Sequence, residues 1–258
     1  MDKKNFLNNF TLDDRGALAS LYEDVELCKK IQYPIHTRMF FPPEVWSTLE
    51  NMKNALGVEV ESRGVTQESE KRVILIKPMN YGEYDEDYPF TYFEIKGDSK
   101  FKELEHRHFL AAIMGLGIKR EILGDLIVRD GMCYGAIFND LYNFLENNLT
   151  VIGRIGVSVF KTEERNIPEM EFEEGVYLVS SLRLDSIVAA ITEKSRSTAA
   201  ELIKEGAVNL NYSVKREKDF SVKEGDVITI RRKGKFLFKE VAGTSKKGKQ
   251  RVVLKKYK

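Results

Sequence analysis

The sequence contains little cysteine, histidine or tryptophan, and these shortages exclude several kinds of site. Its 258 residues include two cysteines, three histidines and one tryptophan. Cys28 and Cys133 form no CxxC pair, so the sequence predicts neither a zinc cluster nor a disulfide framework. We therefore expect no metal and no cofactor. Such cysteine usage favours a reducing compartment, the cytoplasm.

Long apolar runs are also missing. The longest, residues 109–118, is far shorter than the roughly 20 residues that a transmembrane helix needs. The N-terminal residues are polar and lack the apolar stretch of a signal peptide. We therefore expect no membrane partner. With 42% hydrophobic and 10% aromatic residues, the chain can nevertheless bury a core, and its length suits two domains.

The formal net charge of +1 conceals a strong asymmetry along the chain. Residues 182–258 contain 20 lysines and arginines against nine acidic residues, a net charge of +11. Residues 1–181 carry a net charge of −10. Charge separated in this way indicates a polyanionic partner for the basic part, although basic segments also occur as solubilising tails.

Residues 1–57 are predicted to be a small helical region. Leu18, Leu21 and Val25 follow a 3.6-residue period, and Pro42-Pro43 opens a second helix that Gly57 ends. Trp46 and residues 39–41 are expected to pack between the two helices. This pair should dock on the region that follows.

From residue 58 the apolar period changes to two, which predicts strands. Asp130-Gly131 is a hairpin signal, and Asn139 or Asp140 is the expected cap of a helix. The predicted strands are 58–60, 72–76, 91–95, 125–129, 133–138 and 154–160, with helices at 104–114 and from 139 onward. From Thr91 the order is β-α-β-β-α-β, which predicts a ferredoxin-like domain within residues 58–175.

The RNA-recognition motif has the same fold, with aromatic side chains on its first and third strands that stack on bases. Tyr92 or Phe93 and Tyr134 occupy the corresponding strands. The alternation of glycine and phenylalanine typical of that motif is absent, so we favour aromatics that are packed against the appended strands or exposed singly.

Residues 161–181 are predicted to be a linker, whose last stretch, 176–179, could pair with a sheet. A compact domain follows at residues 176–243, with one helix from Leu184 to Ile191 and a second capped by Ser195 or Thr198. Gly206 should end the second helix before further strands. Residues 244–258 are predicted to be a basic tail, with a flexible stretch around Lys246, Lys247 and Lys249.

This C-terminal domain resembles the S-four (alpha-L) RNA-binding domain. The matching residues are R-L-D at 183–185, S-R-S at 195–197, L-I-K-x-G-x-V at 202–208, Asn211, G-D-x-I at 225–228 and R-x-K-G at 231–234. The resemblance implies a helix-loop-helix on a small sheet. Together with the regions before it, it predicts an α+β protein with a helical pair, a ferredoxin-like domain and an S-four domain.

A phosphate site is predicted at the start of the second helix of this domain. There the hydroxyls of Ser195 and Ser197 accompany Arg196, whose planar guanidinium can bind a phosphate with two hydrogen bonds. The further predicted RNA-binding residues are Arg183, Lys194, Lys204, Asn211, Lys215, Arg231, Arg232, Lys233 and Lys235. Structured RNA is therefore the expected partner, and DNA is not.

The whole chain resembles the YlmH family of S-four proteins. The residues that carry this resemblance are the run 106–110, the run 115–118, Arg120-Glu121, Gly124-Asp125 and the run 152–154. It implies a role in ribosome-associated quality control, on ribosomal or transfer RNA of a large subunit that still holds peptidyl-tRNA. We expect secondary RNA contacts from His106, Arg107, His108, Arg120 and Arg154.

Two other classes of function stay open. Arg183-Leu-Asp185 is similar to the R-L-D motif of pseudouridine synthases, in which the aspartate is the nucleophile. Here a helix follows at once, so we interpret Asp185 as a helix cap and expect no catalysis. The chain could also be an interaction adaptor for cell division. His106-x-His108 has a spacing that points the two rings apart on a helix, which disfavours a metal site.

Overall fold

A computed structural model of the chain describes residues 1–10, 12, 14–82, 87–97, 104–246 and 248–257. The chain forms two compact units, unit 1 (Met1–Met170) and unit 2 (Glu171–Lys258). Each combines helices with antiparallel strands, which confirms the predicted α+β class.

The first part of unit 1 packs helices against a three-stranded sheet. Its elements are α1 (Lys3–Leu7), α2 (Arg15–Ile31), β1 (Ile35–His36), α3 (Pro43–Leu56), β2 (Val58–Arg63) and β3 (Val73–Pro78), with strand order β1-β3-β2. Helices α2 and α3 confirm the predicted pair. Gly57 ends α3 with a left-handed φ of 71°, a conformation that glycine adopts without steric cost. Leu18, Leu49 and Ile74 are fully buried where helices and sheet meet.

The second part of unit 1 has the predicted β-α-β-β-α-β order. Its elements are β4 (Phe90–Gly97), α4 (His106–Gly115), β5 (Ile127–Arg129), β6 (Met132–Phe138), α5 (Asn139–Asn148), β7 (Val151–Ile152) and β8 (Ile155–Lys161). The strand order is β5-β6-β4-β8-β7, so β4 lies between β6 and β8. This is the ferredoxin-like order with a short strand added at one edge. Asp130 and Gly131 both have positive φ, which confirms the tight hairpin between β5 and β6.

Both faces of this second sheet are covered, at least in part. On one face, Phe93 and Ile95 pack with Phe109 and Ile113 of α4. On the other, Tyr134 packs in a cluster that includes Phe40, from the segment before α3. The N-terminal part of unit 1 thus lies against the sheet face that RNA-recognition motifs use for RNA.

The predicted cap of α5 is wrong. Helix α5 begins at Asn139 itself, and no side chain caps its first turn. The side-chain oxygen of Asn139 instead accepts the hydroxyl of Thr91 at 2.7 Å. The tertiary contact with β4 takes the oxygen that a cap would need.

Unit 2 is a six-stranded antiparallel sheet with two helices. Its elements are β9 (Phe172–Val179), α6 (Leu184–Thr192), α7 (Arg196–Lys204), β10 (Val208–Leu210), β11 (Ser213–Val214), β12 (Val227–Ile230), β13 (Gly234–Thr244) and β14 (Gln250–Tyr257), in the strand order β11-β10-β12-β13-β14-β9. Leu184, Val188 and Ile203 of the helices share one core with Phe238 and Leu254 of the sheet.

Two segments predicted to be irregular are strands. The predicted linker contains β9, which confirms the pairing foreseen for residues 176–179, and the predicted tail contains β14. These two strands pair with each other from Val179↔Gln250 to Phe172↔Tyr257. The prediction that the S-four domain ends at residue 243 and a tail follows is wrong for β14, because three of its apolar residues, Val252 to Leu254, are buried in the unit 2 sheet. Lys247 lies outside the described residues.

Candidate nucleic-acid interface

The carboxylate of Asp185 lies between two arginine side chains at the start of α6 and α7. Nη2 of Arg196 donates to its two oxygens at 3.0 and 2.8 Å. Nε and Nη2 of Arg183 donate to them at 3.3 and 3.2 Å. The Asp185 side chain is only 6% exposed, whereas those of Arg183 and Arg196 are 39% and 49% exposed. A buried carboxylate thus holds two half-exposed cations, and we call these three residues the arginine clamp.

Asp185 is not the helix cap that the sequence predicts. Residue Arg183 precedes the first turn of α6, and no side chain caps this helix. Burial by itself raises the pKa of Asp185, but the hydrogen bonds and positive charges of Arg183 and Arg196 outweigh it, so the pKa lies below its usual value. The carboxylate is therefore ionised at neutral pH and serves to hold the arginines.

The start of α7 confirms Ser195 as its cap. The Ser195 hydroxyl oxygen accepts the backbone N–H of Thr198 at 3.2 Å. It also lies 2.7 Å from the Ser197 hydroxyl and 2.9 Å from that of Thr198. The hydroxyls predicted to bind a phosphate thus bond first to one another and to the helix, which leaves the guanidinium groups as the main anion-binding feature here.

The other predicted cations of unit 2 differ in their surroundings. Lys194, Lys204 and the turn residues 231–233 are exposed. Nζ of Lys215 lies 5.1 Å from the ring centre of Phe220, and Nζ of Lys235 lies 3.5 Å from that of Tyr257. In the turn before β13, Arg232 and Gly234 have positive φ. The backbone bends sharply there and presents several cations on one short loop.

Asn211 was predicted to contact RNA, and its side chain also makes hydrogen bonds within unit 2. Its side-chain amide donates to Asp226 at 2.8 Å, and its side-chain oxygen accepts the backbone N–H of Val227 at 2.9 Å. These two hydrogen bonds of the side chain hold the turn after β10 against the start of β12.

The predicted secondary contacts of unit 1 do not form one cluster. Arg107 pairs with Glu105 at 3.1 Å, and Nδ1 of His108 accepts the Glu105 backbone N–H at 3.0 Å. Burial and the charge of Arg120 lower the pKa of His106. Arg154 is exposed in the turn between β7 and β8. Arg154 thus lies apart from residues 106–108, whereas His106 is close enough to Arg120 to be affected by its charge.

Arg120 faces inward rather than toward a partner. Its Nη1 donates to the backbone oxygens of Leu123 and Gly124 at 2.7 and 3.0 Å. Nζ of Lys71 donates to the Arg120 backbone oxygen at 3.1 Å, and Asp125 accepts the backbone N–H of Lys71 at 3.0 Å. These bonds join the segment before β3 to the ferredoxin-like part, and an RNA contact by Arg120 stays a prediction.

The aromatic candidates of unit 1 are packed, as the sequence interpretation favoured. Phe93 is fully buried against the helices, and Tyr134 is buried on the opposite face of the sheet. Tyr92 packs against the same cluster as Tyr134. A ring must have an open face to stack on a base, so Phe93 and Tyr134 are not placed for that contact.

Sequence reasoning missed two features of unit 2. The first is the role of Asp185, for which only the neighbouring R-L-D pattern gave a signal. The second is the contribution of β14, which brings Lys255, Lys256 and Tyr257 beside the basic turn, as shown by the register Lys256↔Phe236. The pattern of a short apolar run between cations at residues 251–256 was the available signal.

Within the described ranges, no group of three or more histidine, cysteine, aspartate or glutamate residues is arranged to hold a metal ion. Among the helices of those same ranges, none combines the length and the apolar character needed to cross a membrane. Cys28 and Cys133 are both buried and unpaired with each other.

Unit 2 contains a helix pair on a small antiparallel sheet, and the family model described as "S4 domain" matches its residues 182–228. The model described as "Putative RNA-binding domain in YlmH" matches residues 84–166, which includes most of the ferredoxin-like part. These matches, in this order on one chain, confirm the resemblance to YlmH-like S4-domain RNA-binding proteins.

Two individual proteins extend the comparison. The chain is 28% identical over 252 residues to "Ribosome-associated protein quality control protein P2" of Bacillus subtilis (strain 168), which covers 97% of this chain and 98% of that protein. It is also similar to a solved structure, "Cell division protein ylmH from Streptococcus pneumoniae", with a TM-score of 0.52 and 25% identity. That similarity covers 62% of this chain and 97% of the other.

Proposed function

We propose that this protein is a non-catalytic factor that binds structured ribosomal or transfer RNA through unit 2. Its partner is the large ribosomal subunit that still holds peptidyl-tRNA, and its process is ribosome-associated quality control in the cytoplasm. The observation that carries the proposal is the arginine clamp on the most basic part of the chain.

The clamp suits a phosphate group. Each guanidinium has five N–H donors, and Asp185 takes up only Nη2 of Arg196 and Nε and Nη2 of Arg183. Donors on both groups therefore stay available for phosphate oxygens. Because Asp185 already restricts the two long side chains, binding a phosphate costs less conformational entropy than ordering two free arginines.

The wider charge of unit 2 supports RNA as the anion. Lys194, Lys204 and the exposed turn 231–233 add positive charge to the same unit. Cations that are spread over helices, turns and strands can contact the successive phosphates of a nucleic-acid backbone, whereas a single small anion would contact only a few of them. Long-range attraction would then steer the RNA, and the clamp would fix one phosphate.

The relatives support the ribosomal setting. The printed name of the Bacillus subtilis protein connects that protein with ribosome-associated quality control, and the similarity extends over nearly all of both chains. We transfer this role to the present chain. A ribosomal partner also implies the cytoplasm.

The surroundings of Asp185 argue against an RNA-modifying enzyme of the pseudouridine-synthase type. A nucleophilic carboxylate must reach its substrate, whereas this one is buried and already accepts hydrogen bonds from two arginines. A nucleophile so engaged would have to break both ion pairs before it could react.

Crosslinking of the protein to RNA in cells, followed by sequencing, tests the proposal. We expect large-subunit ribosomal RNA and transfer RNA to be enriched over small-subunit RNA. The double variant Arg183→Ala/Arg196→Ala should lose most of this signal. Arg165→Ala is the matched control, because Arg165 is an exposed arginine of unit 1 that is paired with Glu163 at 2.7 Å.

Equal crosslinking to both subunits, or an undiminished signal from the double variant, would contradict the proposal. If a modified nucleotide disappeared in cells that carry Asp185→Asn at normal protein levels, the protein would instead be an RNA-modifying enzyme. An absence of RNA crosslinks together with recovery of division proteins would favour an adaptor.

A further inference from the structure

Phe220 is an exposed aromatic residue held at a fixed position beside the arginine clamp. The residue is 39% exposed and lies in the segment between β11 and β12. The backbone oxygen of Phe220 accepts the N–H of Leu184 at 2.8 Å, and that of Lys218 accepts the N–H of Asp185 at 3.0 Å. The neighbouring residue Ser221 forms a β-bridge with Arg183. The start of α6, which carries the clamp, is thus bonded directly to the segment that carries Phe220.

The Phe220 ring is outside the core of unit 2 among the described residues. The ring is 39% exposed, so part of its surface is open to a ligand. Nζ of Lys215 lies 5.1 Å from the ring centre. A cation lies beside the ring, and the backbone of the Phe220 segment is bonded to the residues that carry Arg183 and Asp185 of the clamp, so the two features together form a surface suited to a nucleotide.

We propose that Phe220 stacks on an unpaired nucleobase of the RNA while the arginine clamp binds a phosphate of the same strand. This inference rests on the proposed function and adds the type of RNA. Aromatic side chains accept any base that is not stacked inside a helix, whereas bases in a continuous duplex expose no face for stacking. The preferred ligand is therefore a structured RNA with a bulged or looped-out nucleotide.

The ring is apolar, so the part of a nucleotide that it can contact favourably is the base and not the phosphate. The segment 215–220 carries Lys215, Arg216 and Lys218 as well as Glu217 and Asp219, a net charge of +1, so it does not repel the RNA strand. The ring therefore suits the uncharged part of a nucleotide, and the clamp suits the charged part.

Two RNA hairpins test the inference with the full-length protein. One has a fully paired stem, and the other has the same stem with a single bulged 2-aminopurine, whose fluorescence falls when it stacks. We expect the wild type to bind the bulged RNA about tenfold more tightly than the paired RNA and to quench the probe. Phe220→Ala should remove both the preference and the quenching, with binding to the paired hairpin unchanged.

Phe160→Ala is the matched control. Phe160 is a 46% exposed phenylalanine of unit 1, and Nζ of Lys96 lies 5.4 Å from its ring centre. The control should behave as wild type with both hairpins. Phe220→Leu and Phe220→Trp keep an apolar side chain, and only the tryptophan variant should retain the preference. This pair also provides the test if the alanine variant folds poorly.

Several outcomes would overturn the inference. Full retention of the preference by Phe220→Leu would mean that any apolar side chain suffices, as in a contact with a protein partner. Equal weakening with both hairpins would mean that the ring supports the loop. Tight binding by the wild type without preference would reject the stacking and leave the proposed function intact, whereas no binding to either hairpin would reject both.

Discussion

Substitution of Asp185 by asparagine separates positioning of the arginines from simple charge. The change keeps the size of the side chain but removes its negative charge and replaces one acceptor oxygen with an N–H donor. Four contacts with Arg183 and Arg196, from 2.8 to 3.3 Å, depend on the two carboxylate oxygens. The new amide group would face guanidinium donors, which cannot accept its hydrogen bonds.

The expected loss of stability follows from these contacts. A hydrogen bond to a charged group contributes about 1.5–3 kcal/mol, but solvent screens the half-exposed guanidiniums, so the contacts together are worth less than their sum. We expect the free energy of unfolding to fall by about 2 kcal/mol at pH 7. Because the folded-state pKa of Asp185 is depressed, this stabilisation is present above the unfolded-state pKa of about 3.9 and is lost as the pH falls through the folded-state value. The difference between wild type and variant should therefore disappear in acid.

The direction of the change in RNA affinity distinguishes positioning of the arginines from an effect of charge alone. Asp185→Asn makes the chain more positive by one charge, so an affinity set by charge alone would increase. If the arginines must be held in place, the affinity should instead fall about three- to tenfold, because the guanidiniums must then be ordered upon binding. Fluorescence anisotropy with labelled RNA measures the affinity, and urea denaturation measures the stability. Glu201→Gln is the control, since it makes the same charge change on an exposed carboxylate of α7 and should leave stability unchanged.

One outcome would contradict the positioning role of Asp185. If Asp185→Asn binds RNA as tightly as Glu201→Gln does, and unfolds at the same urea concentration as wild type, then Asp185 does not position the arginines.

Three further predictions concern charge, packing and pH. Affinity for structured RNA should fall roughly 10²- to 10⁴-fold between about 50 and 200 mM salt if about five to eight cations bind phosphates, and a flat response in a binding titration would contradict this. Gly135→Ala should lower the free energy of unfolding by about 1–3 kcal/mol, because its new Cβ would lie 2.7 Å from Phe93 and 2.8 Å from Leu126; urea denaturation showing no change would refute this contact. Burial, together with the charge of Arg120, lowers the pKa of Lys71 to about 8 from an ordinary 10.5, so the unfolded chain binds more protons between these values and stability should rise with pH there. Lys71→Met should flatten that rise in urea denaturation at pH 8 and 10, and an unchanged slope would contradict it.

Local signals in the sequence determined much of the fold. Gly57, Asp130-Gly131 and Ser195 each act within a few residues of their own position, through positive φ or a cap to a nearby N–H, and the structure has all three features where the sequence predicts them. Apolar periodicity likewise identified most helices and strands, because the period of a segment depends on its own backbone geometry.

Only the tertiary structure decided the contacts between distant segments. The tail became β14 because its apolar residues pair with β9, more than 70 residues earlier in the chain. Asp185 holds Arg196 because the fold brings the start of α6 next to the start of α7. The sequence prediction considered only the first turn of α6 and therefore assigned Asp185 as a helix cap. Arg120 likewise bonds to backbone oxygens of Leu123 and Gly124, which its place in the sequence did not indicate. The sequence by itself thus determined the order of the elements and the basic character of unit 2, whereas burial against remote partners decided which charged side chains stay at the surface for a ligand.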